Sequence, residues 1–296
     1  MQKKVSAIIT TYKRPPEILG RAANSVLRQT YKNIELIIVD DSPDTYELRD
    51  DVRSLAESLE GNVKYIQHEV NMGACAARNT GINNSTGEFV AFLDDDDEWL
   101  DIKIEKMMEK MNSSQTGLVY CGYLIINESN NSVREYQCRK IRGYLYDELM
   151  HRNFIGSTSF PLIRRECFNK VGMFDVKQLA LQDYELWVRI AKEYELDYVD
   201  MPLVKFYEHN SVRITTNPKN RIQGNERFNR INKDYLKKHP KVNSYRQLRL
   251  VIPYARNKQY FRSICQLVKG IIYNPLNFRE NINMIKGLIA VILKKD

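Results

Sequence analysis

Glu88-Phe-Val-Ala-Phe-Leu-Asp-Asp-Asp-Asp-Glu-Trp99 is the stretch on which the reading of this chain turns. The apolar run Phe89 to Leu93 has the length and bulk of a buried strand. It ends abruptly in Asp94, Asp95, Asp96 and Asp97. Four adjacent carboxylates repel one another and bring nothing apolar to a core. A divalent cation held by alternate aspartates would relieve that repulsion, because hard cations take carboxylate oxygens. A solvated acidic turn is the plainer alternative. An EF-hand is disfavoured, since its loop wants a glycine sixth and a glutamate twelfth and neither is present.

Upstream, apolar strands and amphipathic helices alternate. Val5 to Thr11 reads as a buried strand, Glu17 to Gln29 as a helix, and Ile34 to Val39 as a second strand ending in Asp40-Asp41-Ser-Pro. Tyr46 to Leu59 is helical, Val63 to Gln67 a third strand, and Ala74 to Asn83 a helix opened by Asn71-Met-Gly73. Strands apolar on both faces between helices predict an α/β fold with a mostly parallel central sheet flanked by helices. Ligands in such sheets bind beyond the carboxyl ends of the strands. Thr10-Thr11-Tyr12, Asp40-Asp41 and Asp94 to Asp97 all fall at those ends, which favours a site over a solvated turn.

Downstream the pattern is mixed. Asp101 to Met111 reads as a helix, Gly117 to Ile126 as a strand, and Glu128 to Arg142 as a hairpin or loop. Tyr144 to His151 reads as a short helix, and Phe160 to Arg165 as a strand running into a helix that ends near Gly172. Leu181 to Tyr194 is a strong amphipathic helix, and Asp197 to Val204 a closing strand. Residues 208–224 lose periodicity and are expected to be a long loop. From Asn225 the chain reads as helical.

Of the 296 residues, 43% are hydrophobic and 28% charged, an ordinary globular balance. The chain opens straight into a strand, so no secretory signal is expected. No apolar run is long enough to suggest a transmembrane helix. Five scattered cysteines lack metal-ligand spacing and read as reduced thiols of a cytoplasmic protein. The net charge of +8 is uneven: residues 1–200 carry 25 Lys and Arg against 32 Asp and Glu, whereas residues 201–296 carry 20 against 5. A basic tail of this kind suits an anionic surface.

The motifs in order resemble the inverting family 2 glycosyltransferases with the GT-A fold. They are Val5 to Arg14, Ser25 to Tyr31, Leu36 to Ser42, Asn71 to Gly81, Gly87 to Trp99, Val171 to Asp175 and Leu181 to Arg189. The resemblance covers roughly residues 4–215. It implies a catalytic domain over 1–224, with a nucleotide-binding half about 1–100 and an acceptor half about 101–224. A basic helical extension over 225–296 would follow. It also implies a metal-binding pair, Asp94 and Asp96, holding Mn²⁺ or Mg²⁺ against the diphosphate of a nucleotide-sugar, with His209 as a further metal or diphosphate contact. Asp95 would lie nearer the ribose, and Asp40 would contact ribose or base. Thr10, Thr11 and Tyr12 would line the base pocket. Arg14, Asn71 and Arg78 would lie near the donor, Arg78 alternatively as an ion pair holding the acidic cluster. Arg213 would clamp phosphate.

The same resemblance makes Asp183 the general base, with Gln182 beside it where relatives carry Glu. Asp at a helix start is also an ordinary N-cap, and a helix start favours the ionised carboxylate. The reading is therefore an enzyme moving sugar from a nucleotide-sugar, a UDP-sugar as first choice, to a glycan or lipid-linked glycan in cell-surface polysaccharide assembly. The alternative is a catalytically inactive nucleotide-sugar or glycan-binding module. No nucleic-acid partner is expected, because no such motif is present. Residues 245–296, apolar faces among Arg and Lys, are expected against an anionic membrane surface, on the inner face of the cell membrane.

Overall fold

The computed structural model describes residues 2–208 and 217–293. Its four apolar runs form parallel strands: Val5–Thr11 (β1), Ile34–Asp40 (β2), Val63–Gln67 (β3) and Phe89–Asp94 (β4). They lie in the order β3-β2-β1-β4. Helices Pro16–Leu27 (α1), Arg49–Ser58 (α2) and Ala74–Asn83 (α3) connect them. Parallel pairing requires such crossovers, and each crossover helix buries its apolar stripe on the sheet. Ile9, Ile38 and Leu93 from the strands and Leu19, Ala22 and Val26 from α1 share one fully buried core. Each large aliphatic side chain there contributes about 1.5–3 kcal/mol by leaving water.

Register is what places the site. Thr11 pairs with Asp40, and Thr10 pairs with Asp94. The polar residue closing each apolar run therefore arrives at one edge. The opposite ends of these strands are tied by Glu35 of β2. Its carboxylate accepts from Ser6 Oγ of β1 at 2.6 Å and from the backbone N–H of Thr86 at 2.6 Å and Gly87 at 3.1 Å, just before β4. It also pairs with Lys4 at 2.7 Å. Burial works against the charged form, but the Lys4, Ser6 and Thr86 contacts outweigh it and hold Glu35 at about 2, below its ordinary 4.5. A depressed carboxyl adds stability above its unfolded value that is lost as pH falls through the folded one. Glu35→Gln should therefore lower the urea midpoint at neutral pH. The difference from the parent should shrink between pH 4.5 and 2.

The second half of the sheet adds antiparallel pairs to the parallel ones. Glu98–Trp99 (β5), Thr116–Asn127 (β6), Ser132–Tyr136 (β7), Leu162–Arg164 (β8) and Glu195–Glu208 (β9) complete it in the order β4-β8-β6-β9-β5, with β7 on β6. β8 is antiparallel to β4 and to β6, β6 is parallel to β9, and β5 is antiparallel to β9. The expected hairpin over 128–142 is β6–β7. The reversal at β8 has a consequence for the site. A strand running back along β4 is preceded in sequence by residues lying at the carboxyl end of β4. Lys103–Met108 (α4), Tyr146–His151 (α5), Arg165–Val171 (α6) and Gln182–Glu193 (α7) intervene.

The chain divides into two compact units. The first holds the whole sheet, together with Asn153–Val176 and the part of α7 from Leu186 onward. The second holds Met150–Arg152, Lys177–Glu185, and the helices Pro218–Ile231 (α8), Lys233–Lys238 (α9), Pro240–Arg256 (α10), Tyr260–Tyr273 (α11) and Phe278–Leu293 (α12). The division thus differs from the expected one at 224. α8 begins six residues earlier, at Pro218, and packs on the segment before α7. A Cβ on Gly224 would meet Ala180 O at 2.5 Å, and Gln178 Nε2 donates to both Ala180 O and Gly224 O. The end of the expected loop is accordingly helix. Asn217 caps it, its Oδ1 accepting from Lys219 N at 3.0 Å, and Pro218 fits the first turn. The expected helical run is broken between α10 and α11, where Lys258 takes the left-handed φ of 58°.

A candidate active site at the strand ends

The four aspartates are adjacent in sequence and distinct in environment. Asp94 and Asp96 keep 31% and 27% of their side chains exposed. Asp95 and Asp97 are buried. Asp94 Oδ1 accepts from Arg78 at 3.1 Å and Thr158 Oγ1 at 2.9 Å, and its Oδ2 accepts from Ser157 Oγ at 2.9 Å. Asp96 Oδ2 accepts from Arg14 at 3.1 Å, and Arg21 donates to the Asp96 carbonyl at 3.1 Å. Asp95 accepts from Thr11 Oγ1 at 2.8 Å and pairs with Arg14 at 2.8 Å. Burial pushes the Asp95 carboxyl up against the pull of Arg14.

Asp97 turns inward. Its Oδ2 accepts from Ser159 Oγ at 2.6 Å, and its Oδ1 accepts from Tyr207 N at 3.4 Å. Burial first, and then Asp94, push its carboxyl well above the ordinary range. Ser159 Oγ also accepts from Asp94 N at 3.0 Å, so this one hydroxyl closes the turn from both ends. Ser159→Ala removes the donor of a buried carboxyl and frees the Asp94 amide. An unsatisfied buried group costs about 1–3 kcal/mol, so chemical denaturation should show a loss of that order.

Of the expected donor-side residues, Thr11, Arg14 and Arg78 touch this turn directly. Tyr12, 47% exposed, follows β1 and offers an open ring face. Asp40 is fully buried and accepts from Tyr65 OH at 2.8 Å and Ser42 N at 2.9 Å. Burial and that bond hold the Tyr65 phenol proton well above its usual range. The next residue, Asp41, shapes the loop entering α3. Its carboxylate accepts from Met72 N and Gly73 N, both at 2.8 Å, and lies 2.7 Å from His68 Nδ1. Gly73 takes a φ of 86° there, a value a side chain would oppose. Asn71 is exposed on that loop. Arg78, on α3, is nearly buried, with its guanidinium 5.5 Å from the Phe174 ring centroid and paired to Asp94. That geometry is the ion-pair alternative raised for it.

Gln182 and Asp183 open α7 in the second unit. Leu181 before them takes a left-handed φ of 62°, uncommon for a branched residue. Asp183 Oδ1 accepts from Tyr184 N at 2.7 Å. Tyr184 anchors that turn by stacking on Phe228, ring centroids 5.0 Å apart. His209 and Arg213 lie outside the described residues.

Several site residues were not singled out from the sequence. Ser157, Thr158 and Ser159 carry the acidic turn, and Arg21 both stacks on Tyr207 at 3.6 Å and holds Asp96. The Gly156-Ser-Thr-Ser159 run of hydroxyls before a strand was the available signal. Asn79 fixes the segment after α6 through a two-way amide bond with Phe174.

A sheet of this topology, with a part-exposed carboxylate pair where β1, β2 and β4 end, is that of a GT-A-type glycosyltransferase. The architecture is similar to that of S. aureus TarS (residues 1–349), with a TM-score of 0.55 over 93% of each chain at 15% identity. The chain belongs to glycosyl transferase family 2, whose family model matches residues 6–172. It is 30% identical to WcaA of Escherichia coli, named as a colanic acid biosynthesis glycosyl transferase, over 78% of this chain and 81% of that one. It is 30% identical to WfgD of E. coli over 66% of this chain and 73% of that one. WfgD is named as a UDP-Glc:α-D-GlcNAc-diphosphoundecaprenol β-1,3-glucosyltransferase. A glycosyltransferase of Methanocaldococcus jannaschii is 28% identical over 68% of this chain and 70% of its own length.

Proposed function

We propose that this glycosyltransferase moves a sugar from a UDP-sugar to a lipid-linked glycan, with inversion at the anomeric carbon, in the assembly of a cell-surface polysaccharide. The observation that carries the reading is the register of β1, β2 and β4. It brings Thr10, Thr11, Asp40 and Asp94 to one edge, with the part-exposed Asp96 and Arg14 beside them. The names of WcaA and WfgD support the setting and the acceptor class. Such an acceptor places the reaction at the inner face of the cell membrane. No helix among the described residues is long and apolar enough to cross one.

The donor set suits a hard divalent cation such as Mn²⁺ or Mg²⁺. Among the described residues no cluster of three or more His, Cys, Asp or Glu forms a cage. Mg²⁺, however, is usually held by one or two carboxylates plus substrate phosphates and water. Among the described residues Asp94 Oδ2 accepts one hydrogen bond and Asp96 Oδ1 accepts none, and each carboxylate oxygen has two lone pairs. Capacity therefore remains on the two part-exposed aspartates. The bound ion would supply Lewis-acid relief of the charge on the departing diphosphate.

The chain's own groups do the rest. Arg14, steadied by the buried Asp95, sets a positive charge beside the acidic pair. The exposed Tyr12 ring offers a stacking face for a base. Asp183 takes the proton of the acceptor hydroxyl as its oxygen bonds to the anomeric carbon and the bond to the diphosphate breaks. No covalent sugar–enzyme intermediate is required.

The test is nucleotide release by the purified protein from UDP-, GDP- and dTDP-sugars, with Mn²⁺ or Mg²⁺, with and without polyprenyl-diphosphate-linked sugar. Acceptor-stimulated, metal-dependent release of UDP supports the reading. Tight binding of a UDP-sugar with no turnover on any acceptor would establish the inactive-module alternative raised by Gln182.

A further inference from the structure

We propose that the outer faces of α11 and α12 dock on an anionic membrane surface. Apolar side chains would enter the boundary between headgroups and acyl chains, with flanking Lys and Arg on lipid phosphates. In α11 one side faces α10. Ser263 Oγ donates to Val251 O at 2.7 Å, and a Cβ on Gly270 would meet the Leu248 side chain at 2.5 Å. Phe261, Ile264, Val268 and Ile272, three or four residues apart, lie on another side and are exposed, Phe261 to 80% and Ile272 to 70%. α12 repeats the arrangement. Leu288 is buried with Leu248, Val251 and Ala255 of α10, while Phe278, Ile282, Ile285 and Ile289 form an exposed row. Contiguous exposed apolar surface of this kind marks an interaction face.

Charge selects the occupant. Lys258, Arg262, Lys269, Arg279 and Lys286 accompany the two rows, and Glu280 is the single acidic residue over 257–293. At 100° per residue, Arg262 and Lys269 fall along one border of the α11 row, and Arg279 and Lys286 along one border of the α12 row. An apolar face bordered by Lys and Arg is the form of a helix lying in the membrane interface. A second copy of the same face would set these like charges against one another, whereas anionic headgroups neutralise them.

The structure also narrows the basic segment expected over 245–296. α10 is the interior helix of its unit, and Arg246 on it is buried 4.1 Å from the Phe228 ring centroid. Only α11 and α12 remain as the docking face. The inference rests on the lipid-linked acceptor for its purpose and on the exposed rows for its evidence.

Flotation of the full-length protein tests it, with no donor or acceptor present. Vesicles would be phosphatidylcholine alone or phosphatidylcholine mixed with phosphatidylglycerol. The protein is expected to float with the anionic vesicles at low salt, less at high salt, and to stay below neutral ones. Phe261→Ser with Ile272→Ser, and separately Lys269→Glu with Lys286→Glu, should each lower binding about tenfold or more with unchanged circular dichroism. Absence of flotation with the anionic vesicles overturns the proposal, as does unchanged flotation of both variants. A dimer in sedimentation that these substitutions dissolve, without vesicle binding, assigns the face to a second copy and also overturns it. Failure here leaves sugar transfer standing, and an inactive protein that floats leaves this face standing.

Discussion

Asp183→Asn should lower sugar transfer by about 10²–10⁴-fold, the usual contribution of a positioned general base, while donor affinity stays essentially unchanged. The substitution keeps the side chain's shape and removes its charge and its ability to accept a proton. Asn retains an Oδ1 that can accept from Tyr184 N, so the first turn of α7 keeps its local bond. That turn is also secured by the Tyr184–Phe228 stack and by Tyr184 OH donating to Met150 O at 3.3 Å. The left-handed Leu181 before it is the kind of strained position that surrounding structure must over-determine, and such positions gather at functional sites. Calorimetric donor binding together with kcat on an acceptor separates the outcomes. Full turnover in the Asn variant removes Asp183 from the chemistry.

The second large effect is expected at Asp94. If the proposed metal assistance holds, Asp94→Asn should cut kcat/KM by about 10²–10³-fold, the scale of losing several kcal/mol of Lewis-acid assistance, and should raise the metal concentration needed for half-activation. Stability should fall by only about 1–2 kcal/mol. The amide still accepts through one oxygen, and the Ser157 and Thr158 hydroxyls can turn to meet an N–H. Asp97→Ala makes the contrast. It should act mainly on stability, because Asp97 spends its oxygens on Ser159 and Tyr207 inside the fold. Activation curves and urea midpoints for the two variants test the division. Equal loss of activity per unit of lost stability in both would show that Asp94 is only structural.

Much of the site was legible because strand ends are local features. An apolar run that stops at a polar residue marks where a buried strand leaves the sheet, and helical crossovers put like ends of parallel strands on one edge. Thr11, Asp40 and Asp94 could be placed together on that basis, and the register agrees. Ser157 was out of reach by the same logic. It lies 63 residues from Asp94 in sequence and arrives only because β8 runs antiparallel to β4. Glu35 was hidden for another reason: one acid inside an apolar strand carries no periodic signal, yet it ties three strand beginnings. The start of α8 had a readable mark in Asn217-Pro218. Gly224 obscured that helix, and it is glycine because Ala180 leaves no room for a side chain there.

By itself the sequence determined the succession of strands and helices, the parallel half of the sheet, the edge at which polar residues collect, and the family. All of these follow from apolar periodicity and short motifs, which depend on neighbours a few residues away. Only the tertiary structure decided how four identical aspartates differ. Burial and hydrogen-bond donors set the environment of a carboxylate, and here the donors come from Thr11, Arg14, Arg78, Ser157, Thr158, Ser159 and the backbone of Tyr207. Those partners reach the turn from four separate segments of the chain. The same packing separated α10, whose Arg246 is interior, from α11 and α12, whose apolar rows face outward, although all three read alike as basic amphipathic helix.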